Sequence, residues 1–375
     1  MHDVAIIGGG LAGLASAIHL ARAGAKVLLF EQHDYPRHKV CGEYISNEVL
    51  PYLSSIGLDP APLAPKAINR LLFSAPSGKS ISAPLPLGGF SVRRYALDEH
   101  WYQAALAAGV EIHLLTPIID VHFNGETFTL KTRQGGEFQA RMAMGSYGKR
   151  SQLDRVLKRS FFQEKARYVG IKAYYEYDFP SDLVALHNFP GGYCGVSQVE
   201  NGLVNVAYLT SHALLKRHGS IDALEQQALS VNPHLRELFQ LGERITPQPL
   251  VISNVSFRSK ALIENHLLMN GDAAGMIPPL AGNGMAMAIG SAEILSGLAL
   301  LFLDGNISRG QLEQQYQEQW NAMFRARLFW GRQIQAMMGK TLAAEAAVAG
   351  LRLLPALLPL IVKQTHGNSP QIARQ

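Results

Sequence analysis

Gly8, Gly10 and Gly13 stand in the spacing Gly-x-Gly-x-x-Gly directly after an apolar run, Asp3-Val-Ala-Ile-Ile7. Residues of this type at this spacing bind phosphate. The first glycine permits a tight turn, the second lets the backbone approach a pyrophosphate, and the third lets the following helix lie against the strand. The helix start at Leu11 and Ala12 offers N–H groups that have no intrahelical partner. Glu31, with Gln32 beside it, closes a second apolar run, Lys26-Val-Leu-Leu-Phe30. A carboxylate at that point is placed to accept hydrogen bonds from an adenosine ribose. An acid rather than a base there suits a ribose without a 2′-phosphate, hence FAD or NAD. A glycine turn alone also arises for structural reasons; the strand before, the helix after and the acid behind make it a dinucleotide fingerprint.

A second constellation lies far along the chain: Gly271-Asp272-Ala-Ala-Gly275, then Pro278, then Gly282-Asn283-Gly284-Met285. Asp272, at the end of an apolar run, could accept hydrogen bonds from a polyol chain. Gly282-Asn283-Gly284 opens a helix whose positive end would stabilise negative charge on a reduced flavin ring. The structural alternative is a glycine-rich turn that packs one helix on a sheet.

These residues need a scaffold, and its elements follow from the pattern. Residues 1–31 read as strand, helix, strand. Ala67–Ser82 alternates like a hairpin with Pro76-Ser-Gly78 as its turn. Asp98–Ala108 has helical spacing, Val110–Leu115 reads as a strand, and 116–143 as a β-meander. Tyr168–Tyr177 and Leu203–Leu209 read as strands of a second sheet, separated by Phe189-Pro-Gly-Gly-Tyr193-Cys194-Gly195. Ile221–Leu241 is helical with a break at Pro233, and Ala286–Phe302 is a long apolar helix. The fold class expected is α/β, a Rossmann-like three-layer dinucleotide-binding domain interleaved with a mostly antiparallel β-sheet substrate domain, plus a C-terminal helical tail. The expected domains are 1–66, 93–160 and 250–320 for the cofactor, 67–92 and 161–249 for substrate, and 321–375 for the helical segment.

Of 375 residues 47% are hydrophobic and 17% charged, a globular composition without the signature of disorder. The net charge of +5 is dispersed, with tight basic clusters only at Arg37/His38/Lys39 and Lys149/Arg150. Neither is interleaved with aromatics as a nucleic-acid platform would be, so no nucleic acid is expected. Cys41 and Cys194 are too few for a disulfide framework or a zinc site, and no metal is expected. The first strand begins at Asp3, which gives the expectation of a cytoplasmic chain. Leu342–Val362 is very apolar but carries Glu345, Arg352, Pro355 and Pro359. It reads as a packed helix, with contact to a membrane or a greasy substrate as the other reading.

Gly-Asp-Ala-Ala-Gly followed by Pro and Gly-x-Gly resembles the flavin-contacting motif of the geranylgeranyl-reductase-like flavoproteins. Those share a fold with the para-hydroxybenzoate-hydroxylase group of FAD monooxygenases. Pro36-Arg37-His-Lys39-Val-Cys41-Gly42 is similar to the Pro-x-x-Lys-x-Cys-Gly segment of the reductase branch. Arg94-Tyr-Ala-Leu-Asp98 is similar to the Arg-x-x-Phe-Asp element at a helix start, and the Phe189–Gly195 segment continuing to Asn205-Val206 to the substrate-sheet segment ending in Asn-Val. The resemblance implies FAD as cofactor. It places Gly8, Gly10 and Gly13 on the pyrophosphate, Glu31 on the ribose, Arg94 on the FAD, Asp272 on the ribityl chain and Gly282 to Met285 at the isoalloxazine edge. Lys39 and Cys41 join the cofactor set through the same segment. Cys41 and Tyr193 are the candidate catalytic residues.

The departures matter too. Where the family carries Gly-Ala-Asp-Gly-x-x-Ser, this chain has Gly145-Ser-Tyr147-Gly148-Lys149-Arg150-Ser151, with Tyr147 in place of the acid. That carboxylate's role is missing or moved, which leaves the electron donor open between NADPH or NADH, bound transiently, and a separate reductase. The Trp-x-Trp-x-Ile-Pro signature of flavin-dependent halogenases is absent. The leading expectation is monooxygenase-type hydroxylation of an apolar, aromatic or polyketide-like small molecule. Reduction of a carbon–carbon double bond in an isoprenoid or other lipid is the alternative, and a non-catalytic flavin-binding partner protein is the third. A hydrophobic small-molecule substrate and peripheral membrane contact are the expected partners.

Overall fold

The computed structural model describes residues 1–354 except 164–166, 277, 279–282 and 338–339. The opening strand, His2–Ile7, is buried on both faces, as its unbroken apolar run requires. It lies parallel to Val27–Phe30 on one side and Glu137–Gly145 on the other. Glu111–His113 and Leu267–Met269 extend the parallel set at the two flanks. The helix Leu11–Arg22 packs on this sheet together with the long helix Gly284–Leu303, which returns the second glycine motif to the first. Ile118–Phe123 and Phe128–Thr132 form the meander that joins Glu137–Gly145.

A second sheet of nine described strands is mostly antiparallel and stands beside the first. Its centre is Tyr168–Glu176, Val204–Ser211, Gly192–Gln198 and Leu183–Phe189, continued through a parallel pairing to Lys66–Ser74. The α/β architecture is therefore as expected, with two differences. Phe189–Gly195 is not a linker between strands: Leu183–Phe189 and Gly192–Gln198 pair directly as a hairpin. Pro190, Gly191 and Gly192 obscured the alternation, but they supply the turn and a close approach. A Cβ on Gly192 would meet the Leu209 carbonyl and the Phe189 ring. Tyr44–Ser46 and Leu250–Val255 pair within this second sheet, so sheet membership does not follow the boundaries at 66/67 and 249/250. Both are short strands held by partners distant in sequence, which no local pattern reveals. Pro233 opens the helix Pro233–Leu241, Asn232 capping it through a side chain that accepts the His234 N–H.

The helix Gly284–Leu303 is the one described element long and apolar enough to cross a membrane, and 56% of its most apolar stretch is buried within the protein. It packs between Leu11–Arg22 and the 29-residue helix Arg309–Met337. Thr341–Leu353 then lies across the second sheet. Residues beyond 354, including the end of the apolar stretch 342–362, lie outside the described residues.

A buried polar knot ties the second sheet to the capped helix. Asn232 Nδ2 donates to Ser74 Oγ at 2.8 Å, leaving the Ser74 hydroxyl to donate to His187 Nδ1 at 2.9 Å. Burial, reinforced by the stacked His234, pushes the His187 imidazole from 6.5 down to about 3. Between those values the unfolded chain binds a proton that the folded chain refuses, so stability falls as pH drops through that window. At about pH 4.5 the loss is on the order of 3 kcal/mol. His187→Asn keeps an acceptor toward Ser74 and is expected to flatten the fall of the thermal midpoint with acid. An unchanged slope would show that His187 is not the titrating group.

Candidate functional site

Both glycine motifs open on one cavity of about 730 Å³ between the two sheets. Gly8, Gly10, Leu11, Ala12, Glu31 and Gln32 line it from the first motif, and Gly271, Asp272, Gly284 and Met285 from the second. Lys39, Cys41, Arg94 and Tyr193 complete the predicted set at its wall. Gly13 is not in the lining. It lies beneath the turn, where an added Cβ would strike the Gly8 carbonyl, which is the helix–strand packing role expected of the third glycine. Pro278 and Asn283 are buried but do not line the cavity, and Gly282 lies outside the described residues.

Local conformation explains the turn. Gly8 has φ of +105°, and a Cβ there would sit 2.5 Å from the Ser146 carbonyl oxygen. Gly10 caps Leu11–Arg22 without a side-chain hydrogen bond, and no acid stands in the first turn. The helix Gly284–Leu303 starts in the same way, so two uncapped positive helix ends meet one cavity. Glu31 is buried and held in place: it accepts the Gly9 N–H at 2.8 Å and the His33 N–H at 3.0 Å, with Arg37 Nη2 at 3.9 Å. Burial pushes the pKa of the Asp272 carboxyl up, against the pull of Lys260, Arg94 and Lys149.

Arg94 reaches the cavity wall but commits two donors elsewhere. Its Nε and Nη2 grip Asp98 at 2.7 and 2.9 Å, and Lys39 Nζ holds the same carboxylate at 2.6 Å. Burial alone would raise the Asp98 pKa; Arg94 and Lys39 outweigh it and hold the carboxylate below its ordinary value. The motif thus places a buried triad behind the wall, in which Asp98 orients both cations. Cys41 is half-buried, its Sγ accepting the Glu43 N–H at 3.4 Å. Cys194 faces away, buried in the core of the second sheet as a small apolar residue.

Sequence reasoning missed Glu43. It stands at the cavity wall, and its fully buried carboxylate meets Lys172 Nζ at 2.5 Å and accepts the Tyr174 hydroxyl at 2.9 Å. Burial pushes Glu43 up and Lys172 down. The signal was present: Lys172 is a lone cation within the otherwise buried strand Tyr168–Glu176. A buried charge of this kind demands a partner.

Tyr147 lines the cavity, and its hydroxyl donates to Asp154 Oδ1 at 3.1 Å, where Arg159 Nη1 also binds at 3.0 Å. A carboxylate therefore does stand behind this loop, but seven residues later and screened from the cavity by the tyrosine. Lys149 and Arg150 are engaged by the protein, Lys149 on the Ser253 carbonyl and Arg150 on the Phe162 carbonyl and ring.

Residues 1–326 match the family model described as FAD binding domain. The chain belongs to that family. FAD is its cofactor, and its class is that of the FAD-dependent oxidoreductases. Among curated relatives, conditioned medium factor receptor 1 of Dictyostelium discoideum is 27% identical, over 86% of this chain and 68% of its own. Menaquinone reductase of Mycobacterium tuberculosis is 26% identical over 79% and 76%. Digeranylgeranylglycerophospholipid reductase 2 of Methanopyrus kandleri is 25% identical over 86% and 83%. Two solved flavin-dependent halogenases share the fold. CmlS has a TM-score of 0.77 at 19% identity, over 88% of this chain and 63% of its own. The chondrochloren halogenase CndH has the same score and identity over 95% and 90%.

The residues present fit the cofactor. Nothing lies within 4 Å of where a Cβ on Gly10 would project, so the turn leaves a cradle open toward the cavity. Two helix starts without acidic residues, and a buried acid oriented by backbone N–H groups, match a pyrophosphate and a ribose. The first motif and Glu31 would hold the adenosine half. Asp272 and the start of Gly284–Leu303 would hold the flavin half.

Proposed function

We propose that this protein saturates a carbon–carbon double bond in an isoprenoid-type chain. The observation that supports this most is the far end of the cavity, away from the glycine motifs. Leu71, Leu85, Val184, Val196, Ile334 and Leu351 line it, an apolar arm between the second sheet and the two C-terminal helices. Such an arm buries a hydrocarbon chain at about 0.8 kcal/mol per methylene. The reductase names of the relatives point the same way. Together they move reduction ahead of the hydroxylation expected first from the sequence.

Bound FAD supplies two-electron redox chemistry, the source of hydride for such a reduction. The chain's own residues must hold the substrate, exclude water and provide the second hydrogen as a proton. Glu43 suits proton delivery, because it lines the cavity, burial raises its proton affinity, and Lys172 and Tyr174 fix both of its oxygens. Cys41, two residues earlier on the same wall, and Tyr193 across it would orient the chain beside that carboxyl. The donor of electrons is NADPH, NADH or a separate reductase, with Tyr147 closing the loop where a cavity-facing acid would otherwise stand.

The test is mass analysis of product from FAD-loaded protein, chemically reduced without oxygen and given a long-chain polyprenyl quinone or phospholipid. A gain of two hydrogens is expected. Product that forms only in air and carries one labelled oxygen atom from dioxygen would overturn saturation in favour of hydroxylation.

A further inference from the structure

The helix Thr341–Leu353 has two apolar faces, and the protein covers only one of them. Ala343, Ala344, Ala347 and Leu351 line the apolar arm of the cavity, and Val348 is buried. Leu342, Ala346, Ala349 and Leu353 recur at three- and four-residue spacing, which puts them together on another face. All four are exposed, Leu342 and Leu353 at 86% and 81%. Only Thr341, Glu345 and Arg352 are polar in this helix, and the Glu345 carboxylate is engaged by Ser77. A helix between a protein core and water turns a polar face outward; this one turns leucine and alanine. We infer that the outer face of Thr341–Leu353 docks on an anionic lipid bilayer.

Charge selects the bilayer over a second copy of this chain. Lys340, directly before the helix, and Arg352, in its last turn, are exposed and make no hydrogen bond or ion pair among the described residues. They bracket the outer face, so their stems can follow the leucines while their charged ends reach lipid phosphates. Glu345 is the one acid in the sequence from Gln319 to Gln375, and its oxygens already accept from Ser77. Pairing this face with its own duplicate would set cations against cations with no free acid to answer them. Anionic headgroups answer both. The preceding helix, Arg309–Met337, adds Phe329 and Trp330, exposed at 52% and 46%, with Arg325 one turn before Phe329. Aromatic rings beside cations suit the headgroup layer. Pro355–Val362 continues the uncharged, apolar run in the sequence. Because the inner face of the same helix walls the apolar arm, a docked helix would stand between the bilayer and the proposed isoprenoid chain. That link rests on the reading of the arm as a hydrocarbon site; the docking face itself does not.

Flotation of the full-length, FAD-loaded protein with vesicles tests it, using phosphatidylcholine alone and phosphatidylcholine mixed with phosphatidylglycerol. The protein is expected to bind the mixed vesicles, and to bind phosphatidylcholine alone about tenfold more weakly. Leu342→Glu/Leu353→Glu should weaken binding to the mixed vesicles about a hundredfold. Lys340→Gln/Arg352→Gln should instead remove most of the preference for the anionic lipid. All four positions are exposed, so both variants should keep the wild-type flavin spectrum and thermal midpoint. The vesicles hold no isoprenoid, so the result bears on the docking face and not on the proposed reduction. No binding to the mixed vesicles would overturn the inference, as would binding that the leucine variant leaves intact. A wild-type dimer that the leucine variant splits, without vesicle binding, would assign the face to a second copy instead.

Discussion

Gly10→Val is expected to leave the chain folded and to cost it FAD. Gly10 has φ of −81° and ψ of −175°, extended backbone open to any residue. An added Cβ meets no protein atom within 4 Å. By protein packing alone, replacing this glycine should be neutral or slightly stabilising, since the unfolded chain loses freedom. Only a ligand would object to the new side chain. The expected result is a thermal midpoint near that of the wild type without cofactor and a loss of FAD affinity of about a hundredfold, ~2.7 kcal/mol. Gly13→Val supplies the contrast. Its Cβ would drive into the Gly8 carbonyl oxygen and crowd Ser146 Cβ at 3.3 Å, so the apoprotein itself should lose stability. Flavin fluorescence titration beside thermal unfolding separates the two. A Gly10→Val protein that binds FAD as tightly as wild type would show that this turn does not hold the pyrophosphate.

That contrast also marks what the sequence could and could not reveal. Phosphate-binding turns are legible because backbone constraints select glycine: Gly8 needs a positive φ and Gly13 a missing Cβ, and both demands are local. Glu31 is legible for the same reason, as an acid at the end of a short apolar strand. Arg94 and Asp98 are legible as the two ends of one motif, but their pairing and their burial behind the wall with Lys39 depend on a segment far earlier in the chain than Arg94. The lone cation Lys172 signals that a buried partner exists but not which one, because Glu43 meets Lys172 and Tyr174 across a separation of 131 residues at Tyr174. Strands such as Tyr44–Ser46 take their identity from pairing, here with Gly89, Phe90 and Ser91, rather than from their own pattern. The C-terminal helix was seen as apolar, yet which of its faces meets the cavity emerges only once it is laid on the sheet.

Ala347→Trp tests that face and carries the second large effect. The helix Thr341–Leu353 is anchored by Glu345, whose carboxylate accepts the Ser77 N–H at 2.7 Å and the Ser77 hydroxyl at 2.8 Å. Val348 buries against the protein, while Ala343, Ala344, Ala347 and Leu351 line the apolar arm, Ala343, Ala347 and Leu351 recurring every four residues. Alanine at these positions keeps the arm open; an indole at 347 would fill it. Excluding about four methylenes of a bound chain forfeits about 3 kcal/mol, roughly a two-hundredfold loss in kcat/KM. FAD affinity should not change, because the glycine motifs lie at the other end of the cavity. A shorter substrate, whose chain stops before the helix, should lose far less, and that difference separates a blocked arm from a damaged fold. Equal loss for long and short chains, or none for either, would show that the substrate does not run beneath this helix.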